Sequence, residues 1–174
     1  KIADRIEQNL EKKFGDPKNP LLVSVRAGAK FSMPGMMDTI LNLGLNDATL
    51  QAVIAATGNK RFAYDAYRRF IMMFSDVVMG VEKESFEHIF TTMKKKLGAR
   101  QDTDVDADQL VKLCEQFKAH YKKHKKKDFP SDPMEQLAGA IQAVFRSWNN
   151  DRAILYRRKE KISDDIGTAV NVQS

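Results

Sequence analysis

The sequence predicts an α+β fold, predominantly helical, with a long helical insertion between two strands. Three observations point to it. The apolar run Leu21, Leu22, Val23 and Val25 reads as a strand that carries Arg26 at its end. The alternating segment Thr168–Ser174 (TAVNVQS) reads as a second strand. Between them, apolar residues recur at helical spacing, punctuated by capping residues and glycines.

In chain order, Ile2, Ile6 and Leu10 form an N-terminal helical stripe that Phe14 continues and Gly15 stops. After the first strand comes a loop with Gly28, Pro34 and Gly35, from which a short helix is expected to open at Asp38 and Thr39. Asn46 or Asp47 caps a helix running to Gly58. Phe62, Tyr67, Phe70, Ile71, Phe74, Val77 and Val78 define a longer helix that ends before Gly80. Phe86, Ile89, Phe90, Met93 and Leu97 define another, up to Gly98. Asp106 and Gln109 resemble a capping box ahead of Leu110, Leu113, Phe117 and Tyr121. Asp132, Pro133 and Glu135 supply an N-cap, a first-turn proline and an N3 acid for a helix with Leu137, Ile141, Val144, Phe145 and Trp148. A last helix covers Arg152 to Lys159, and the two strands are expected to be neighbours in one sheet. The chain starts inside a helical pattern and stops on a strand, so both ends read as cut.

With 43% hydrophobic and 30% charged residues, the chain has the composition of a globular protein and not of a disordered one. No apolar run approaches the roughly 20 residues needed to span a bilayer, and no signal peptide is recognisable. The single cysteine, Cys114, excludes an intrachain disulfide and fits a reducing, cytoplasmic setting. It lies between Leu113 and Phe117, where a core position is expected. The net charge of +6 is local: six of the 29 basic residues are lysines between Lys118 and Lys127, and the rest balance the 23 acids. That distribution argues against nucleic-acid binding by the protein as a whole, and a lysine-rich helix end suits the negative end of the helix dipole.

Val25 to Asp47 has the ingredients of a phosphate site. Glycines let backbone N–H groups approach an anion, a helix N-terminus presents unpaired N–H groups, and Arg26 offers a two-pronged donor. Thr39 adds a hydroxyl. An ordinary strand–loop–helix connection, with Arg26 as a surface ion-pair partner, fits the same spacing, because neither a P-loop lysine nor a dinucleotide fingerprint is present. Asp102–Asp108 (DTDVDAD) mimics the start of a calcium loop, but Ala107 and Leu113 stand where glycine and glutamate are required. It reads as a loop into a helix capped by Asp106. His88, His120 and His124 read as surface residues, and the arginine pairs Arg68–Arg69 and Arg157–Arg158 as ion-pairing groups or as a docking surface for an acidic partner.

Longer stretches carry a family resemblance. VRAGA (Val25–Ala29), SMPGMMDTILNLGLND (Ser32–Asp47), RFAYDAYRRFI (Arg61–Ile71), AVFRSWNNDRAILYRR (Ala143–Arg158) and GTAVNVQ (Gly167–Gln173) resemble the nucleotide-binding domain of pyruvate phosphate dikinases. Related phosphoenolpyruvate synthases and rifampicin phosphotransferases have a VRSSA-type strand instead. One departure is Ala27, where the family usually has serine. The resemblance implies a partial ATP-grasp-like domain: residues 1–47 as part of the ATP-binding subdomain, 48–130 as a helical subdomain, and 131–174 as the return. It implies that Arg26 contacts ATP phosphates, with Gly35, Met36, Asp38 and Thr39 at the phosphate end and Gln173 near the adenine-binding hinge.

The resemblance also implies a reaction, ATP, phosphate and pyruvate giving AMP, pyrophosphate and phosphoenolpyruvate. That reaction runs through histidine intermediates on a separate carrier domain, with magnesium, in a homodimeric parent. No catalytic residue or metal ligand is expected within this chain, which on its own is expected to be inactive. The alternative is a free-standing helical module that binds an anionic partner through Lys118–Lys127.

Overall fold

The computed structural model describes residues 4, 7, 8 and 10–174. Ile2 and Ile6 of the expected N-terminal stripe lie outside them, and Leu10 is exposed. Phe14 does not continue a helix. It sits in β1 (Lys13–Phe14), which pairs in parallel with β2 (Pro20–Leu21). β3 (Val23–Ala27) is the centre of a three-stranded antiparallel sheet, with β4 (Thr39–Leu43) on one side and β5 (Val170–Gln173) on the other. The expected neighbourhood of the first and last strands is therefore correct.

The short helix expected at Asp38 and Thr39 is not formed; the segment is β4. Ile40 and Leu43 stand three apart, a helical spacing, but a bulge produces it here. Val25 pairs with Ile40 while Val23 pairs with Leu43, so β4 carries one extra residue. Asn42 absorbs that residue at φ 59, and Leu41 turns to solvent while Ile40 and Leu43 are fully buried.

The helical layer follows the caps. Asn46 opens α1 (Asp47–Thr57) with a reciprocal capping box to Thr49. Asn59, Asp106, Asp132 and Asn150 each accept a backbone N–H at the start of α2 (Lys60–Val77), α4 (Ala107–Lys125), α5 (Pro133–Ser147) and α6 (Asp151–Glu160). α3 (Lys83–Leu97) lies between α2 and α4 in the chain and ends at Gly98.

Tyr67, Phe70, Ile71 and Phe74 of α2 and Leu110, Leu113, Cys114, Phe117 and Tyr121 of α4 are buried in one core that continues through Val25 and Ile40 of the sheet to Val144 of α5. Each fully buried side chain of this size contributes about 1.5–3 kcal/mol. Phe129 plugs the helical core edge-on to Phe70 and Phe74. Phe62, Leu97 and Phe145, members of the apolar stripes that define their helices, are exposed. In α5 the inward stripe is Gln136, Leu137, Ala140, Ala143, Val144 and Ser147, and helical periodicity leaves Phe145 beside it.

One polar device ties the sheet to a helix and another ties helices to one another. Gln136, fully buried, accepts the Gly44 N–H at 2.8 Å and donates to the carbonyls of Leu45 and Pro130 at 2.9 and 2.8 Å. Arg68, also buried, bonds Asp65 and Asp102 and lies 4.5 Å from the Phe90 ring centroid. Asp102 is held by Arg68 and Lys94, and Asp104 accepts the N–H groups of Arg100 and Gln101. The acidic run is thus a turn into a helix, with Asp106 as cap. The lysine-rich end of α4 is tied down in part, Lys118 by Asp47 and Glu115, Lys122 by Asp128 and Lys127 by Glu135. No helix of the described residues is long and apolar enough to cross a membrane.

Candidate functional site

Antiparallel pairing decides which side chains meet at the polar end of the sheet. Val25 faces Ile40 and Val172 on the inner side. Its neighbour Arg26 therefore faces Thr39 and Asn171 on the outer side, with Ser24 opposite Gln173 in the next row. Thr39, Arg26 and Asn171 are exposed, and their side chains have no hydrogen bond or ion pair among the described residues.

The loop from Gly28 to Asp38 closes over this row and leaves a cleft of about 520 Å³. Arg26, Gly35, Asp38 and Thr39 line it, as the sequence reading grouped them, together with Lys30 and Asn171, which that reading missed. The signal for Asn171 was present: it alternates with Val170 and Val172 in β5, so it shares a face with Gln173, but only the register with Arg26 brings it to the cleft. Gly35, at φ 72, has open space where a side chain would be, which leaves the loop backbone accessible from the cleft.

Met36 and Gln173 are not among the lining residues. Gln173 lies farther along the same sheet face, opposite Ser24. Met36 belongs to the loop's anchor: Met33 is buried against Trp148 and Ala153, and Met36, Met37 and Tyr156 pack around them. The Met36 carbonyl accepts from Asn150 Nδ2 at 3.0 Å, and the Asp38 N–H donates to Ser147 Oγ at 3.1 Å. Asp38 Oδ1 accepts from Arg152 at 3.1 Å. Burial raises the Asp38 pKa above the usual carboxylate value; Arg152 opposes the rise and the charge of Asp76 adds to it. Beneath the anchor, buried Arg157 lies over the Trp148 ring, bonds its carbonyl and pairs with Asp164. The corner between α5 and α6 therefore fixes the loop.

Because β4 replaces the expected helix, the cleft has no helix N-terminus at Asp38 and Thr39. Side chains on strands, with Lys30 of the loop, supply its donors. Asp38 is the one carboxylate among the lining residues and is already engaged by Arg152. Among the described residues no group of three or more His, Cys, Asp or Glu could hold a metal. None of His88, His120 and His124 lines the cleft. His120 meets Ser85 Oγ through Nε2 and packs edge-on to Phe86 in the helical layer.

The chain is thus an α+β domain with unpaired cationic and neutral donors at one end of its sheet, faced by a loop anchored on the corner between α5 and α6. Residues 1–174 match the family model described as pyruvate phosphate dikinase, AMP/ATP-binding domain, and the chain belongs to that family. It is 59% identical over 170 residues to a pyruvate, phosphate dikinase of Clostridium symbiosum, covering 97% of this chain and 20% of that protein. The protein of that name from Giardia intestinalis is 52% identical over 169 residues, covering 97% and 19%. Pyruvate, phosphate dikinase 1, chloroplastic, of Arabidopsis thaliana is 51% identical over 168 residues, covering 97% and 17%. The chain thus spans about a fifth of the length of these relatives. Family membership over the whole chain leaves the free-standing lysine-rich module without support.

Proposed function

We propose that this chain forms one wall of the ATP site of a pyruvate phosphate dikinase, with Arg26 holding the phosphates. One observation carries the reading: Arg26 stands at the centre of a polar row in the cleft, with its guanidinium unpaired among the described residues. A guanidinium in that setting makes two-pronged, charge-assisted bonds to phosphate oxygens and holds charge that shifts during phosphoryl transfer. Thr39 adds a hydroxyl, Gly35 keeps the loop backbone approachable, Asp38 is kept in place by Arg152, and Met36 pins the loop. Gln173, farther along the sheet face, lies toward the adenine end. Residues 1–47 and 131–174 make the ATP-binding part, and residues 48–130 form the helical part.

In the full enzyme ATP passes its β,γ-pyrophosphate to a histidine on another domain, and phosphate and pyruvate complete the conversion to pyrophosphate and phosphoenolpyruvate. Magnesium, when bound, would neutralise charge on the phosphates. None of the three histidines here reaches the cleft, so the chain alone is expected to show no turnover and to bind ATP weakly. The test is Arg26→Ala in a full-length protein carrying this chain. Loss of ATP-dependent histidine labelling supports the reading; labelling at the wild-type rate would sink it.

A further inference from the structure

We infer that Asn171 is a phosphate-binding residue of the cleft and that Gly28 is glycine so that the Asn171 amide can lie there. This deepens the ATP-site reading and rests on it. Arg26 has two cross-strand partners on the outer face, Thr39 in β4 and Asn171 in β5. The three side chains form a row across the strands about 10 Å long, two inter-strand spacings, with the cation in the middle and a neutral donor at each end. Such a row suits a chain of linked phosphoryl groups lying across the strands: each phosphate meets its own donor and no carboxylate intervenes.

The position of the amide is set by what is missing from Gly28. A methyl group there would stand 2.9 Å from Asn171 Nδ2 and 3.1 Å from Oδ1, closer than side chains pack. Gly28 is not in the left-handed region, so the backbone itself would accept alanine. Its N–H continues the β3–β5 ladder by donating to the Ala169 carbonyl at 2.7 Å. An alanine at this position would therefore push the exposed Asn171 amide aside. The amide it admits lines the cleft and has no hydrogen bond among the described residues, so Nδ2 is free to donate to a phosphate oxygen.

The experiment measures equilibrium ATP binding to a full-length protein carrying this chain, in wild type and in Arg26→Ala, Asn171→Ala, Asn171→Asp, Gly28→Ala and the Gly28→Ala/Asn171→Ala pair. Asn171→Ala is expected to weaken binding about tenfold, the loss of one hydrogen bond to a charged group. Asn171→Asp is expected to weaken it further, and high salt should shrink the extra loss because it is charge repulsion. A purely structural role for Asn171 would not produce that salt dependence. Gly28→Ala should match Asn171→Ala, and the pair should be no worse than either alone, since the methyl has no amide left to displace. Wild-type affinity in both Asn171 variants, with binding lost in Arg26→Ala, would overturn the role of Asn171 and leave the ATP-site reading standing. Additive losses in the pair would overturn the link between Gly28 and Asn171. Equal ATP binding by wild type and Arg26→Ala would remove the reading on which both depend.

Discussion

The Arg157 guanidinium carbon lies 4.1 Å from the centroid of the Trp148 ring, and the arginine side chain is almost wholly buried. The same group bonds the Trp148 carbonyl and pairs with Asp164 at 2.6 Å, while Trp148 Nε1 donates to the Asp164 carbonyl. Trp148 also carries the methionine anchor of the cleft loop. Arg157→Ala should cost about 3 kcal/mol through lost packing and hydrogen bonds. Trp148 is the only tryptophan, so its emission reads the cluster directly and should move to the red. Unchanged emission would mean that Arg157 does not order this corner.

Gln136 makes three hydrogen bonds inside the core and has no exposed surface. Gln136→Leu fills the volume but strands the Gly44 N–H and two carbonyls. The expected loss is about 3 kcal/mol. That is about 10 °C in melting temperature for a domain of this length. A variant melting within a degree or two of wild type would show that water or local rearrangement replaces the clamp.

Asp102 gives the stability a defined pH dependence. Burial works against its charge, but the bonds and charges of Lys94 and Arg68 outweigh it and hold the pKa below the ordinary carboxylate value. Lowering the folded-state pKa stabilises the fold above the unfolded value, near pH 4, and the contribution disappears as pH falls through the lower, folded value. Asp102→Asn should therefore be less stable than wild type at pH 7, with the gap closing in acid. A gap that stays constant from pH 7 to pH 3 would show that the carboxylate's charge is not what matters. Asp38 has the opposite sign: its raised pKa makes ionisation costly, so Asp38→Asn should lose no stability on this account as pH rises above about 4.

Cys114 is buried between α4 and α2, and burial pushes its thiol up to about 12. The native thiol should react with a disulfide reagent at pH 8 only as fast as the helical layer opens. Adding denaturant below the midpoint should accelerate labelling. Prompt labelling of the native protein would contradict the burial.

Most of the helical layer was legible because its signals are local. Asn46, Asp106 and Asp132 announce their helices within four residues, and Phe70, Ile71, Phe74, Leu113 and Phe117 keep the helical period. β4 was not legible, because its bulge gives Ile40 and Leu43 the spacing of a helix turn. β1 and β2 are two residues each, too short to show alternation. Arg26 is legible as a cleft-lining residue because a cation at a strand end is visible in one dimension. Asn171 was missed because its partner Arg26 is far away in sequence and only the register joins them. Met36 packs against Trp148 and Ala153, neighbours that no local pattern could supply.

β5 closes onto β3 across a separation of 149 residues, as in the bond from Ser24 Oγ to the Gln173 carbonyl. Loop closure over that distance is slow and entropically costly unless the intervening chain is already compact. On the ribosome, Arg26 emerges early and waits for its neighbour until the whole helical unit has been made. A chain arrested between residues 160 and 170 has the helices but no completed polar row. The cleft is thus a late product of folding, and its presence reports that everything between its two walls has been built.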